Sequence, residues 1–282
     1  MTPVAPLQWP QPILVTPLFP TLRQHLQELL ASLTPKEWAI PTTAGEWTVK
    51  DVALHLLGGD IGNLSRRRDM FTPSSPSLSN WEDLVAFINH LNRTWVEAAR
   101  RISPQVLCDL LRHVGPQIEA YFASLDPFAI GEPVRWAGPQ PGPIWLDLAR
   151  EYTERWHHQQ QIRDAVGRPG LYEPALFAPV IDAFVRALPH TFRAVDASVG
   201  ASLQLTISGA AGGHWVVRRE DSAWTLLVGE DPAAQSHIRL AAEDAWKIFT
   251  RGLRGPQARA RADIRGDLTL GSRVLEMTSV IA

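Results

Sequence analysis

The stretch Glu151–Gly167 reads EYTERWHHQQQIRDAVG and places acidic residues, two adjacent histidines and two arginines in a single helical run. Glu154 and His158 are four residues apart, so a helix presents both side chains on one face, one turn apart. A carboxylate and an imidazole in this arrangement can bind one metal ion, but they supply only two ligands. His157 lies three residues from Glu154 and competes for the same role.

A third ligand is available from a second helix. Thr48 followed three residues later by Asp51 resembles a capping box, in which an acid replaces the usual Glu or Gln. The helix that it starts carries His55 on its apolar face, and Asp51, one turn earlier, is positioned to orient that ring. Helical bundles build metal sites from facing helices in this way. The alternative is that His55 is a core histidine with its hydrogen bonds satisfied.

Residues 17–167 favour an all-α fold. Apolar residues recur at helical spacing through this part of the chain, with loops between the runs and no alternation typical of a strand. The simplest architecture is an antiparallel four-helix bundle, whose last helix begins near Ile144 and contains Glu151–Gly167. Gly167 and the Arg-Pro-Gly that follows it end this helix.

The pattern changes after Gly170. One more apolar helix is followed by period-two runs at residues 203–207, 212–219, 224–228 and 237–240, separated by glycine-rich or acidic turns. These runs predict an antiparallel sheet with helices, which makes the second part a smaller α+β domain. We therefore expect a metal-binding bundle in residues 1–170 and an α+β domain in residues 171–282.

The composition is that of a soluble globular protein. Of 282 residues, 45% are hydrophobic and 20% are charged, and the net charge is −2. This balance gives no electrostatic reason to expect nucleic acid or membrane as a partner. The single cysteine, Cys108, excludes an intramolecular disulfide and lies in an apolar pattern typical of a buried thiol, with a nucleophilic role as the alternative. A cytoplasmic location is the expectation.

Two segments together resemble a known family. Trp47–Asp60, WTVKDVALHLLGGD, and Arg150–Arg163, REYTERWHHQQQIR, are similar to the metal-binding domain of the mycothiol-dependent maleylpyruvate isomerase family. That family belongs to the larger DinB-like superfamily of four-helix bundles. The resemblance implies that His55, Glu154 and His158 are the metal ligands, and its register selects His158 over His157.

The resemblance also carries expectations about chemistry. It implies a divalent metal, most often zinc, that activates a low-molecular-weight thiol such as mycothiol, or water, for isomerisation, thiol transfer or conjugation of a small-molecule substrate. It further implies a C-terminal domain similar to sterol carrier proteins and an active-site arginine there, for which Arg265 is the candidate. The alternative is a non-catalytic protein that contains a metal and binds an apolar small molecule.

Overall fold

The computed structural model describes residues 5–71, 73 and 80–280. These residues divide into two compact units. The helical unit comprises residues 14–127 and 151–171, and the mixed unit comprises residues 5–13, 128–150 and 172–280. The assignment of separate roles to residues 1–170 and 171–282 stays a prediction.

Five long helices account for most of the first 165 residues. They are α1 (Phe19–Ala31), α2 (Val49–Asn63), α3 (Trp81–Ala99), α4 (Pro104–Ser124) and α5 (Ile144–Ala165). Residues 144–150 of α5 belong to the mixed unit and the rest of α5 to the helical unit. Within the helical unit α4 packs against both α1 and α2, and α3 packs against α2. The predicted helical fold of this region is confirmed.

The start of α2 follows from its sequence. The Thr48 side chain accepts a hydrogen bond from the backbone N–H of Asp51, and the Asp51 carboxylate accepts one from the backbone N–H of Thr48. This reciprocal pair satisfies two N–H groups that the first turn of a helix would otherwise leave without partners. The predicted capping box is therefore present, and it fixes the position along the chain at which His55 enters the helix.

A glycine allows α3 to approach α2 closely. A Cβ atom on Gly58 would lie 2.4 Å from Nε1 of Trp95. The same Nε1 donates a hydrogen bond of 2.8 Å to the backbone carbonyl of Leu54, which holds the indole in place. The absence of a side chain at Gly58 thus makes room for the ring that ties the two helices together.

The mixed unit contains a five-stranded sheet in the order β3-β2-β1-β4-β5. Its strands are β1 (Ser202–Ser208), β2 (Gly213–Arg219), β3 (Trp224–Val228), β4 (Ser236–Ala241) and β5 (Asp263–Gly266). Neighbouring strands are antiparallel except β1 and β4, which pair in parallel with Leu205 opposite Ile238. This pairing is an exception to the predicted antiparallel order. The short β5 was not anticipated as a strand, because Ile264 is the single apolar side chain among its four residues and no alternation results.

Shorter helices complete the mixed unit. They are α6 (Pro174–Val185), α7 (Leu188–Phe192), α8 (Ala242–Phe249), α9 (Gly255–Ala260) and α10 (Leu268–Ser272). Helix α6 is nearly all apolar and is buried along most of its length, and it packs against α8. The predicted α+β character of this part of the chain is confirmed. Across the described residues, no helix is both long and apolar enough to cross a bilayer.

Candidate metal centre

Three side chains from two helices meet at one point of the helical unit. His55 comes from α2, and Glu154 and His158 come from α5. Oε1 of Glu154 lies 3.2 Å from Nε2 of His55 and 3.1 Å from Nε2 of His158. All three potential ligand atoms lie within 4.8 Å of one another. The structure thus brings together the three residues that the sequence selected, although α2 and α5 are far apart in the chain.

The distances between these atoms suit a zinc ion. Zinc accepts imidazole nitrogen and carboxylate oxygen at about 2.0–2.1 Å, and in a tetrahedral site such ligand atoms lie roughly 3.3 Å from one another. The two Nε2–Oε1 separations in the structure, 3.2 and 3.1 Å, are close to that value. Three protein ligands would leave one coordination position for a thiol, a water molecule or a substrate.

The two imidazoles are buried, whereas the carboxylate is partly open. His55 and His158 are each 8% exposed. The side chain of Glu154 is 34% exposed, which makes it the most accessible of the three groups. An ion held here would therefore be shielded on the histidine side and approachable near Glu154.

Neighbouring side chains orient both imidazoles. Nδ1 of His158 lies 2.7 Å from Oε1 of Gln161, one turn further along α5. If Nδ1 carries the proton and donates it to this amide oxygen, Nε2 is left with its lone pair directed at the site. The ring of Trp47 packs on the ring of His55, with 5.0 Å between ring centroids. The sequence had assigned no role to Gln161, although its position three residues after His158 was the available signal.

The charges of the three groups depend on one another. Burial alone would raise the pKa of Glu154, but His158 and His55 lower it well below its ordinary value. Burial lowers the pKa of His55. Burial also acts to lower the pKa of His158, but the adjacent Glu154 carboxylate and Gln161 raise it overall. Without a cation, Glu154 is thus ionised and accepts a hydrogen bond from the proton on Nε2 of His158. A bound metal would displace that proton.

His157 is buried beside the site. Its ring stacks on that of His158 with 5.1 Å between centroids, and it is 7% exposed. Burial, with a smaller effect from His158, lowers its pKa to about 3, so it is neutral at physiological pH. Nε2 of His158 lies within hydrogen-bonding distance of Glu154.

Asp51, expected to orient the His55 ring, is engaged elsewhere. Its carboxylate accepts hydrogen bonds from the backbone and side chain of Thr48. It also accepts two from the guanidinium of Arg100, at 2.9 and 3.1 Å. The Asp51 carboxylate therefore caps the start of α2 and links α2 to Arg100 at the end of α3.

A buried group of charges lies next to the ligands. The guanidinium of Arg155 donates to Asp60 at 2.5 Å and to the side chain of Glu151 at 2.6 Å. Asn63 donates a further hydrogen bond to Glu151 at 3.2 Å. Glu151 is only 4% exposed, so its charge lies in the interior of the unit. The sequence gives no sign of the contact between Arg155 and Asp60, because 95 residues separate the partners.

Two other residues singled out from the sequence lie outside this cluster. Arg265 is on β5 in the mixed unit, and its side chain is 78% exposed and pairs with Asp263 at 2.8 Å. Its catalytic role stays a prediction. Cys108 on α4 is half-buried, and burial raises the pKa of its thiol, which disfavours the thiolate that a nucleophile requires.

Comparison with known proteins identifies a family. Residues 19–163 match the model of the mycothiol maleylpyruvate isomerase N-terminal domain. The matched range includes all three candidate ligands. No curated protein matches the chain significantly in sequence.

Two solved structures have a similar fold. They are the mycothiol-dependent maleylpyruvate isomerase, with a TM-score of 0.51, and a histidine-to-alanine mutant of that enzyme, with a TM-score of 0.53. Each match is 11% identical and covers 84% of this chain and 88% of the other. The predicted fold, a helical bundle with a following α+β region, is confirmed by this likeness.

Proposed function

The chain belongs to the mycothiol maleylpyruvate isomerase N-terminal domain family, and from this premise we propose that it is a metal-dependent enzyme acting on a small molecule with the help of a thiol. The observation that carries the proposal is the convergence of His55, Glu154 and His158 on one point, with both Nε2–Oε1 separations suited to zinc. The proposed metal is zinc, because the donor set combines two imidazoles with one carboxylate. The proposed location is cytoplasmic.

The protein's own residues would provide binding and orientation. The two buried histidines and the ionised Glu154 give the site one negative charge, which partly compensates a divalent cation. Gln161 holds His158, and Trp47 covers one side of His55. The chemistry that the metal supplies when bound is a lowered pKa for a coordinated thiol or water.

An external thiol suits this chain. Its only cysteine, Cys108, has a raised pKa and lies on α4, which carries none of the three ligands. A low-molecular-weight thiol such as mycothiol would then be the nucleophile, and isomerisation, thiol transfer or conjugation would be the reaction class. An exposed arginine, Arg265, is the proposed group for an anionic substrate, as its guanidinium has an accessible surface beyond its pair with Asp263.

Metal analysis tests the first half of the proposal. Wild-type protein expressed with ample zinc is expected to carry on the order of one zinc per chain. His55→Ala, Glu154→Ala and His158→Ala should each lose most of it. The matched control is His90→Ala, since His90 is exposed on α3 and outside the ligand cluster. A wild-type protein without zinc would contradict the proposal.

Activity assays test the second half. Candidate substrates with a conjugated carbonyl group are incubated with the zinc-loaded protein, with and without an added low-molecular-weight thiol. Turnover should require the thiol and fall sharply in Glu154→Ala. Zinc binding without thiol-dependent turnover, together with tight binding of an apolar molecule, would favour the non-catalytic alternative. Arg265→Ala should lower turnover without changing the zinc content, with Arg261→Ala as the exposed-arginine control.

A further inference from the structure

Arg155 is the point at which four helices of the helical unit meet. Its guanidinium donates to Asp60 on α2 and to Glu151 on α5. The same group lies over the ring of Phe19 on α1, at 5.6 Å from the centroid, and over the ring of Phe122 on α4, at 5.3 Å. Cations are attracted to aromatic faces at such distances. The Arg155 side chain thus contacts residues of α1, α2, α4 and its own helix α5.

The charged contacts are largely shielded from solvent. The side chains of Arg155, Asp60 and Glu151 are 15%, 12% and 5% exposed. The cluster contains one cation and two carboxylates, and the amide of Asn63 on α2 donates to Glu151 as an additional partner. Asn63 also donates to the carbonyl of Gly59 at 3.0 Å, which holds the amide in place. Helices α2 and α5 are therefore linked twice, through Asp60 and through Asn63.

These links join the same two helices that carry the candidate ligands. Asp60 follows His55 by five residues on α2, which is about 7.5 Å along a helix axis. Arg155 directly follows Glu154 on α5. A shift of either helix by one residue, about 1.5 Å, would separate Arg155 from Asp60 and His55 from Glu154 together. The ion pair and the ligand cluster thus both require the same relative position of α2 and α5.

Stability alone is a poor explanation for such a cluster. Replacing a buried ion pair by apolar residues of similar volume is often neutral or stabilising, because removing charges from water is costly. Well-ordered polar contacts of defined direction instead select one arrangement of the helices among several that an apolar interface would tolerate.

We infer that Arg155 is a positioning residue, whose pairing with Asp60 and Glu151 sets the placement of α2 against α5 at which His55, Glu154 and His158 bind one metal ion. This inference rests on the proposed function. It assigns a purpose to a charge cluster that does not itself contribute ligands. His55, Glu154 and His158 would bind the ion, whereas Arg155, Asp60 and Glu151 would hold these ligands at the required distance.

Two variants test the inference. Arg155→Lys keeps the positive charge but cannot donate from two nitrogens in a fixed plane. A triple variant, Asp60→Leu with Glu151→Gln and Arg155→Met, removes all three charges so that no buried charge is left uncompensated. Zinc affinity is measured by competition with a chromophoric chelator, and urea unfolding of the zinc-free protein reports the fold. Both variants should bind zinc at least tenfold more weakly than wild type.

A partly buried ion pair of the mixed unit is the control. Arg186 pairs with Asp182 on α6 at 2.9 Å, and the two side chains are 11% and 31% exposed. The mixed unit carries none of the three candidate ligands. Arg186→Met with Asp182→Leu should therefore leave zinc affinity within twofold of wild type, whatever its effect on unfolding.

The spectrum of bound cobalt distinguishes positioning from general destabilisation. Cobalt(II) in place of zinc has visible absorption bands that report the coordination geometry. These bands should change in Arg155→Lys and stay unchanged in the Arg186/Asp182 control. Zinc affinity and cobalt bands like those of wild type in Arg155→Lys would overturn the inference, even if the triple variant fails to fold. A wild-type protein that binds no zinc would instead overturn the proposed function, and this inference with it.

Discussion

Nδ1 of His158 lies 2.7 Å from Oε1 of Gln161, and Nε2 of the same ring lies 3.1 Å from the carboxylate of Glu154. The imidazole is therefore held from both nitrogens by residues of its own helix. When a bound metal displaces the proton between Nε2 and Glu154, the proton that Nδ1 donates to Gln161 stays in place, so Nε2 is the nitrogen that presents its lone pair.

Loss of the Gln161 contact should weaken metal binding without removing a ligand. We expect Gln161→Leu to bind zinc about 10–100-fold more weakly than wild type, in line with the loss of other groups that orient metal-binding histidines. Gln161→Glu keeps an acceptor oxygen at the same place and should retain most of the affinity. Chelator competition measures both values. An unchanged affinity in Gln161→Leu would mean that the ring is oriented by other contacts.

Zinc should stabilise the folded protein through the same three residues. A ligand that binds only the folded state at 100 times its dissociation constant adds about 2.7 kcal/mol to the free energy of unfolding. We therefore expect chelation of zinc to lower the melting temperature of wild type. The melting temperature of His55→Ala should not respond to zinc or chelator, whereas His90→Ala should respond as wild type does. Calorimetry at matched protein concentrations makes the comparison.

The capping carboxylate of α2 should contribute a pH-dependent part of the stability. Burial alone would raise the pKa of Asp51, but hydrogen bonds from Arg100 and Thr48 lower it below its ordinary value. Its contribution is therefore fully present above the unfolded-state pKa of about 4 and is lost as the pH falls through the lower, folded-state value.

Asp51→Asn reveals this contribution in zinc-free protein. The variant should unfold with a free energy about 1 kcal/mol smaller than that of wild type near neutral pH, a typical effect of a helix cap. The difference should shrink as the pH is lowered through the range in which Asp51 titrates. Urea titrations at several pH values measure it. A difference that stays constant with pH would show that the charge of Asp51 has no part in the effect.

Two adjacent glycines of α2 should respond in opposite directions to the same substitution. Gly58→Ala places a methyl group 2.4 Å from the Trp95 indole, and such overpacking typically costs about 1–3 kcal/mol. Nothing lies within 4 Å of a Cβ on Gly59, so Gly59→Ala should stabilise the helix by up to about 1 kcal/mol. Urea unfolding compares the two variants.

A second substitution identifies the cause of the Gly58 effect. Combining Gly58→Ala with Trp95→Leu removes the clashing ring, so the double variant should lose less stability than the sum of the two single changes. Additive losses would place the cost of the alanine elsewhere in α2.

Local patterns were sufficient to predict the helices and most strands. The capping box at Thr48 and the i, i+4 spacing of Glu154 and His158 depend only on neighbours in the chain, so both could be predicted from the sequence. The contact between Arg155 and Asp60 was not, because it joins residues 95 positions apart whose separate patterns suggest no pairing. The parallel pairing of β1 with β4 was missed for a related reason. It depends on how the connecting segments pack and leaves no mark in the alternation of either strand.

The ligands from α2 and α5 have a consequence for biosynthesis. His55 and Glu154 are 99 residues apart. At a translation rate of about 5–20 residues per second, the ribosome adds Glu154 roughly 5 to 20 seconds after His55. During that interval the nascent chain offers a single imidazole of the three ligands, which is too little to retain zinc against cellular competitors. The ion therefore cannot nucleate the bundle before α5 emerges from the ribosome, and metal loading follows that point.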